Sequence, residues 1–155
     1  MQLDRMDIAL IRALQNDARA SNKELANMVG LAPSTTHGRL QKLLRDGVVK
    51  GFHAEASPES VGVGLEVMVF LRMAQHGRDA VRRTWDSLVA REEVVNAWYV
   101  GGEDDLVLHV ALRDARHLQH FVTDVLGSEK DIGRVRTEIA FRHHRARLPI
   151  YLESP

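Results

Sequence analysis

Residues 21–53 combine two short amphipathic helical patterns with a tight turn between them. Ser21 and Glu24 form an S-x-x-E capping box, which predicts that a helix begins just after Ser21. Gly30 suits the left-handed residue that ends this helix, and Pro33 suits the first turn of the next one. The spacing therefore predicts a helix-turn-helix motif, in which the second helix can lie in the major groove of DNA.

Apolar residues at helical spacing divide the N-terminal third of the chain into three helices. The residues expected to face inward are Ile8, Ile11 and Leu14 in the first helix, Leu25, Met28 and Val29 in the second, and Leu40, Leu43 and Leu44 in the third. After Gly47, residues 48–52 alternate like a short strand and predict a β-hairpin wing. Residues 1–53 are therefore predicted to form a winged helix-turn-helix domain, although a three-helix bundle without a nucleic-acid role fits the same spacing.

Positive charge is concentrated on the third helix and the wing. The whole chain is neutral, with 21 basic and 21 acidic residues, whereas residues 33–53 hold four basic residues and one acidic residue, a net charge of +3. The residues predicted to contact double-stranded DNA are Ser34, Thr35, His37 and Arg39, and those predicted to contact mainly its phosphates are Lys42 and Lys50. The alternative for Arg39 is a structural ion pair with Asp7 or Asp17.

The second half of the chain has a different periodicity. Residues 54–64 form a predicted linker, and residues 65–155 form a predicted second domain. The predicted strands are 65–73, 94–100, 106–112 and 135–141, and the predicted helices are 78–90 and 114–127. The order β-α-β-β-α-β is the ferredoxin-like split arrangement, so the predicted fold class of the whole chain is α+β.

Both helices of such a domain must cover one face of the sheet and leave the other face uncovered. The apolar residues predicted on the uncovered face are Met68, Phe70, Val95, Ala97, Tyr99, Val107 and Ala111. A sizeable exposed apolar patch usually marks an interface. We therefore expect a face-to-face homodimer, with Phe70, Tyr99 and Val107 near the contact.

The predicted turn at residues 101–105 has the chemistry to bind a free amino acid. Gly101 and Gly102 expose backbone N–H groups that a carboxylate can approach closely. Asp104 or Asp105 can accept a charge-assisted hydrogen bond from an α-ammonium group. The predicted effector residues are these four together with Tyr99. An ordinary hairpin turn uses the same residues, because Gly and Asp are favoured in turns.

Taken in order, these features resemble the Lrp/AsnC (feast/famine) family of bacterial and archaeal transcription regulators. The residues that carry the resemblance are Leu3, Asp4, Asp7, Ile11, Leu14, Asp17 and Arg19, then Glu24–Ala26, Val29–Leu31, Arg39, Leu40, Leu43 and Gly47–Val49, and finally Gly102 and Asp105 in a G-x-x-D pattern. The resemblance implies a DNA-binding domain tethered to a ligand-sensing domain, dimers that often assemble into octamers, and amino acids as effectors. It gives Asp105 the stronger claim to an essential role in the loop.

The third helix departs from the family pattern. Ala32 replaces the usual capping Ser, which forgoes about 1 kcal/mol, so we expect Ser34 or Thr35 to cap the helix and shorten it. Thr36 replaces a usual buried aliphatic residue. Gly38 within the helix costs roughly 0.5–1 kcal/mol relative to Ala.

Several functional classes lack a signal. The chain has no Cys, and therefore no disulfides, thiolate metal sites or Cys nucleophile. No apolar run approaches membrane-spanning length and the N-terminus lacks a signal-peptide pattern, so we expect a soluble, cytoplasmic protein without a membrane partner. No G-x-S-x-G, H-E-x-x-H or P-loop is present, which predicts neither an enzyme nor a cofactor. We expect no metal site either, because exposed histidines such as His117, His120, His143 and His144 are far commoner than metal ligands.

The leading hypothesis is a sequence-specific transcriptional regulator whose assembly or DNA affinity responds to a small effector. One alternative is an architectural DNA-binding protein that ignores effectors, and dependence of DNA binding on amino acids separates the two. The other is an enzyme or metabolite-binding protein with a purely structural N-terminal bundle, which absence of salt-dependent DNA binding would favour.

Overall fold

The computed structural model of the protein describes residues 3–74, 77–144 and 146–151, which divide into two compact units. The helical unit contains residues 3–55 and 146–151, and the sheet unit contains residues 56–144. The short C-terminal segment 146–151 therefore groups with the helices, whereas we expected it in the second domain. Across the described ranges, no helix is both long and apolar enough to cross a membrane.

The first two helices begin at reciprocal capping boxes. Helix α1 spans Arg5–Asn16 and helix α2 spans Asn22–Val29. The Asp4 carboxylate accepts hydrogen bonds from the N–H groups of Met6 and Asp7, both at 2.8 Å. At α2, the Ser21 N–H donates to the Glu24 carboxylate at 2.7 Å, which confirms the predicted capping box. Hydrogen bonds from the Ser21 side chain and backbone lower the pKa of Glu24.

Helix α3 spans Pro33–Arg45 and begins where the sequence places Pro33. Gly30 turns the chain between α2 and α3 at φ 69°, as predicted. Ala32 precedes α3 without a side-chain cap, and the expectation that Ser34 or Thr35 would cap and shorten the helix is wrong. Pro33 needs no N–H partner at this position, and its fixed φ starts the helix without a capping side chain.

One face of each helix is buried in the helical unit. The buried apolar residues that pack together are Leu10, Ala13, Leu14, Leu25 and Leu43. Thr36 is fully buried, and its hydroxyl donates to the Ala32 carbonyl at 3.1 Å. Met28, predicted to face inward, is 62% exposed, because the short helix α2 turns Leu25 and Ala26 toward the core instead.

The predicted wing strand does not form. Gly47 takes the left-handed conformation, and the N–H groups of Val48 and Val49 both donate back to the Leu43 carbonyl, at 3.0 and 3.1 Å. These amides therefore close the end of α3 instead of pairing with a strand, and the described residues 47–57 contain no strand. The predicted wing is wrong for this reason, and Lys50 lies in an irregular exposed segment.

The sheet unit has the predicted ferredoxin-like order. Its elements are β1 Leu65–Met73, α4 Arg78–Val89, β2 Val94–Tyr99, β3 Leu106–Leu112, α5 Ala115–His120 and β4 Ile132–Ile139. The antiparallel sheet has the strand order β2-β3-β1-β4. A wider π-type turn at Phe121–Val125 and a short 3-10 turn at Leu126–Ser128 continue α5, so the predicted second helix is only partly α-helical.

The two central strands, β1 and β3, supply most of the buried hydrophobic core of the sheet unit. Alternate residues of β1 and β3 face the helices and are at most 3% exposed: Val67, Val69, Leu71, Met73, Leu106, Leu108, Val110 and Leu112. Leu88, Phe121 and Leu126 cover them from the helical side. At roughly 25 cal/mol for each Å² of apolar surface removed from water, this layer is the main stabilising term of the unit.

A bulge in β2 changes which residues lie on the uncovered face. Val94 pairs with Val110 on the helix-covered side, and the register then shifts so that Asn96 pairs with His109. Ala97 consequently packs against the core, Trp98 pairs with Val107 on the uncovered face, and Tyr99 is on the covered side. The prediction that Ala97 and Tyr99 lie on the uncovered face is wrong, because one extra residue in a strand reverses its alternation.

Candidate DNA interface and effector loop

The outward face of α3 is defined by the residues that α3 buries. Thr36 and Leu43 are buried and Leu40 is half-buried, so they mark the inner side of the helix. At 3.6 residues per turn, Gly38 lies about 200° around the helix from Thr36, directly opposite the buried stripe. The exposed residues around Gly38 on this face are Ser34, Thr35, Gln41, Lys42 and Arg45.

The predicted DNA contacts fall on α3 except for Lys50. Ser34, Thr35 and His37 are exposed in its first half and Lys42 in its second half. Gln41 shares the outward face but was missed by sequence reasoning. Its spacing of seven residues from Ser34, two helical turns, is the signal that could have found it.

Arg39 is held by two carboxylates of α1. Its Nη1 lies 2.6 Å from Asp4 Oδ2 and 2.8 Å from Asp7 Oδ1, and 32% of the Arg39 side chain is exposed. Hydrogen bonds that Arg39 donates to the carboxylates of Asp4 and Asp7 raise the pKa of its guanidinium. The Asp7 backbone and the Arg39 side chain together hold the pKa of Asp4 below 3.8. The geometry supports the structural ion pair for Arg39, with Asp4 and Asp7 as partners; Asp17 instead accepts from the Arg19 N–H.

The turn between β2 and β3 is attached to the end of β1 through Asp105. The Asp105 carboxylate accepts a hydrogen bond from the Met73 N–H at 2.7 Å, and the Asp105 N–H donates to the Leu71 carbonyl at 2.8 Å. Gly101 and Gly102 are exposed, and a Cβ added to either would meet nothing within 4 Å. The loop thus offers open glycine backbone beside an acidic residue that already supports the hairpin.

Two arginines of β4 face the same loop. Asp104 Oδ2 lies 3.0 Å from Arg136 Nη2, and this hydrogen bond raises the pKa of Arg136. The Arg136 guanidinium also pairs with Glu138 and lies 3.9 Å above the centre of the Phe70 ring. Arg134 pairs with Glu103 at 3.3 Å. Sequence reasoning missed both arginines, because only the pairing of β4 with β1 brings them to the loop.

The uncovered sheet face contains a buried polar group. His109 is 4% exposed, with Nε2 2.9 Å from Glu66 Oε1 and Nδ1 3.3 Å from Asn96 Nδ2. Its ring centre lies 5.3 Å from that of His143. Within the described part of the chain, no three His, Asp or Glu side chains are grouped to hold a metal ion.

Profiles of two protein domains match the chain. The AsnC-type helix-turn-helix domain matches residues 3–44, and the Lrp/AsnC ligand binding domain matches residues 66–150. The fold and the two matches define a transcriptional regulator with a DNA-binding and a ligand-binding domain. The chain belongs to the Lrp/AsnC family.

Individual relatives agree with this assignment over nearly the full length. The transcriptional regulator AldR of Mycolicibacterium smegmatis is 37% identical over 96% of this chain and 86% of that protein. A transcriptional regulator of Neisseria meningitidis, solved as a complex with L-Met, is 31% identical, covers 96% of this chain and 97% of its own, and superposes with a TM-score of 0.88. The crystal structure of AldR from Mycobacterium tuberculosis is 33% identical over 95% and 100% of the two chains, with a TM-score of 0.77.

Replacing Arg39 tests whether it supports the fold or contacts DNA. Arg39→Ala removes the partner of Asp4 and Asp7, so we expect it to destabilise the protein by about 1 kcal/mol and to weaken DNA binding as well. Lys42→Ala is the matched control, which should weaken DNA binding and leave the melting temperature unchanged. Thermal denaturation and fluorescence anisotropy measure the two effects. An Arg39→Ala protein with wild-type stability and weakened DNA binding would favour a direct contact.

Replacing Asp105 tests its structural role in the loop. Asp105→Ala leaves the Met73 N–H without its carboxylate acceptor, which should cost about 1–3 kcal/mol even without effector. Asp105→Asn retains an acceptor oxygen and should recover part of that loss. Asp104→Asn is the control, because it only weakens a partly exposed ion pair. If Asp105→Ala melts like the wild type in the absence of any ligand, the carboxylate does not support the hairpin.

Proposed function

We propose that the protein is a sequence-specific DNA-binding regulator, not an enzyme, whose assembly or DNA affinity responds to a free amino acid. The observation that carries the proposal is the polarity of α3: its outward face has exposed polar and basic side chains, and its opposite side packs into the helical unit through the buried Thr36 and Leu43. An α-helix with this polarity fits the major groove of double-stranded DNA. The match to the Lrp/AsnC ligand binding domain supports the other part of the proposal, the response to a small effector.

Within this interface the side chains have different roles. Ser34, Thr35 and His37 lie near the N-terminal end of α3, the end that meets base edges in helix-turn-helix complexes. Lys42 and Lys50 are exposed cations that suit phosphates. Arg39 orients α3 against α1 through Asp4 and Asp7 instead of contacting a base, a role that fits its two ion pairs and its half-buried side chain.

The proposed effector site is the loop formed by Tyr99, Gly101, Gly102, Asp104 and Asp105. A zwitterionic amino acid needs a positive or N–H partner for its carboxylate and a carboxylate partner for its ammonium group. Arg136 and the N–H groups of the exposed Gly101 and Gly102 supply the first partner, and Asp104, 3.0 Å from Arg136, supplies the second. The L-Met complex of the Neisseria regulator supports an amino acid as the ligand class.

We propose a homodimer through the uncovered sheet face, with octamers as the larger assembly. Phe70, Trp98 and Val107 give that face apolar area, and both ring nitrogens of the buried His109 already have partners within one chain, Glu66 and Asn96. A second copy can therefore cover the face without stranding a buried polar group. The double-stranded DNA sites expected of such a dimer are two-fold symmetric.

One observation favours the second candidate, an architectural DNA-binding protein that ignores effectors. All three acidic residues of the loop already have partners: Glu103 with Arg134, Asp104 with Arg136 and Asp105 with the Met73 N–H. A loop whose charges are internally paired must lose some of these contacts to bind a zwitterion. If breaking them costs more free energy than the amino acid returns, the loop binds no effector and the architectural candidate holds.

The proposed function is tested with DNA selected from a random duplex pool by the full chain. We expect enrichment of a two-fold symmetric sequence, binding that weakens as salt rises, and a change in affinity with at least one of the 20 amino acids. The responsive amino acid should raise the melting temperature, because it binds the folded protein. At a free concentration of a hundred times its dissociation constant, it adds about 2.7 kcal/mol to the free energy of unfolding. Selected binding without any amino acid effect would establish the architectural candidate. Absence of salt-dependent DNA binding would exclude both.

The dimer is tested by a pair of neighbouring aromatic residues on opposite sides of β2. Trp98→Ala removes apolar area from the uncovered face, so we expect a shift toward monomer at micromolar concentration in light scattering. Tyr99→Ala is the matched control, since Tyr99 lies on the other side and is 65% exposed. Equal assembly of both variants would place the dimer contact elsewhere.

A further inference from the structure

Gly38 is a glycine that the fold itself does not require. The glycines with positive φ are Gly30, Gly47 and Gly62, whereas Gly38 lies in the middle of α3 with helical geometry. A Cβ added to Gly38 would meet nothing within 4 Å, so no close packing excludes a side chain. Glycine in an exposed helix interior is less stable than alanine. The helical unit therefore retains a destabilising residue without a structural reason in its own packing.

The position of Gly38 points to a reason outside the chain. It lies opposite the buried Thr36 and Leu43, at the centre of the outward face of α3. Ser34 precedes it by one turn and Lys42 follows it by one turn, and both are exposed. A side chain at residue 38 would point directly toward a surface on which this face of α3 docks.

The neighbouring side chains show why the distance between the α3 backbone and the bases of DNA matters. Ser34 and Thr35 have hydroxyl groups only one bond beyond Cβ, so they meet base edges only when the helix backbone lies close to the floor of the groove. Open space of about 440 Å³ borders Gly38, beside Thr35, Lys42 and the Arg39 pair with Asp4. The backbone N–H and C=O of Gly38 are used inside the helix, so only its apolar Cα is left to contact a docked surface. Such a contact suits a thymine methyl group.

We propose that Gly38 determines DNA specificity by allowing α3 to approach the major groove closely enough for Ser34 and Thr35 to reach base edges. A Cβ at this position holds the helix away from the bases while the longer Lys42 still reaches phosphates. The proposal rests on the DNA-binding function proposed above, and adds the residue that controls the distance between helix and bases.

The test compares the full-length wild type with Gly38→Ala and Gly38→Leu. Each protein is titrated, at one salt concentration, with a duplex that the wild type selects from a random pool and with a scrambled duplex of the same composition. We expect Gly38→Ala to raise the melting temperature, because alanine favours a helix. We also expect it to weaken binding to the selected duplex roughly tenfold, within the range that one base contact contributes to discrimination, and to change binding to the scrambled duplex little. Gly38→Leu should weaken selected binding further.

Gln119→Leu is the control for adding an apolar side chain to an exposed helix, here α5, and should change neither affinity. Unchanged or tighter binding of Gly38→Ala to the selected duplex would overturn the proposal. An equal loss on both duplexes would also overturn it, since that result describes general docking and not specificity. A lower melting temperature for Gly38→Ala would show that the fold needs the glycine after all. If the wild type selects no sequence, the proposed function itself fails; if it selects one and Gly38→Ala matches it, only this inference fails.

Discussion

Each element of this small protein can bury only one face, and that constraint determines where function can lie. In α3 the buried Thr36 and Leu43 turn Gly38 and its polar neighbours outward. In the sheet, α4 and α5 cover one side of β1 and β3, so the other side is not covered by helices. The burial of apolar surface has no preferred direction of its own. Side chains repeat every 3.6 residues in a helix and every 2 in a strand, so burying the apolar side of an element also fixes which side stays exposed. Both proposed binding surfaces lie on the sides of these elements that the cores of the two units leave unburied.

Charged residues contribute to architecture as much as to binding. Arg39 joins α3 to the N-terminus of α1, where Asp4 both caps the helix and accepts from the guanidinium. Asp105 holds the hairpin to β1, and Arg136 pairs with Asp104 while covering the Phe70 ring. Among these groups, Arg39, Asp104 and Asp105 are residues that the sequence analysis assigned to DNA or to an effector. Their internal partners mean that binding DNA or an amino acid must use, or compete with, contacts that already stabilise the fold.

Local interactions explain which predictions were right. The Ser21–Glu24 capping box, the left-handed Gly30 and the start of α3 at Pro33 depend on residues within a few positions of each other, and the sequence contains them all. The predicted wing failed because a strand needs a partner that residues 48–52 do not have. The placement of Tyr99 failed because a bulge between Val94 and Asn96 depends on pairing with β3.

The sequence by itself determined the order of the helices and the four sheet strands, the buried faces of α1, α3, β1 and β3, and the family to which the chain belongs, because periodicity and capping are local properties. Tertiary structure decided that Arg39 pairs with Asp4 and Asp7, that Asp105 reaches Met73, and that Trp98 replaces Tyr99 on the uncovered face. The partners in these contacts lie about thirty residues apart for the first two, and across a shifted strand register for the third. Such contacts form only when the packed elements bring side chains together that are far apart in the sequence, and the spacing of residues along the chain does not show which ones will meet.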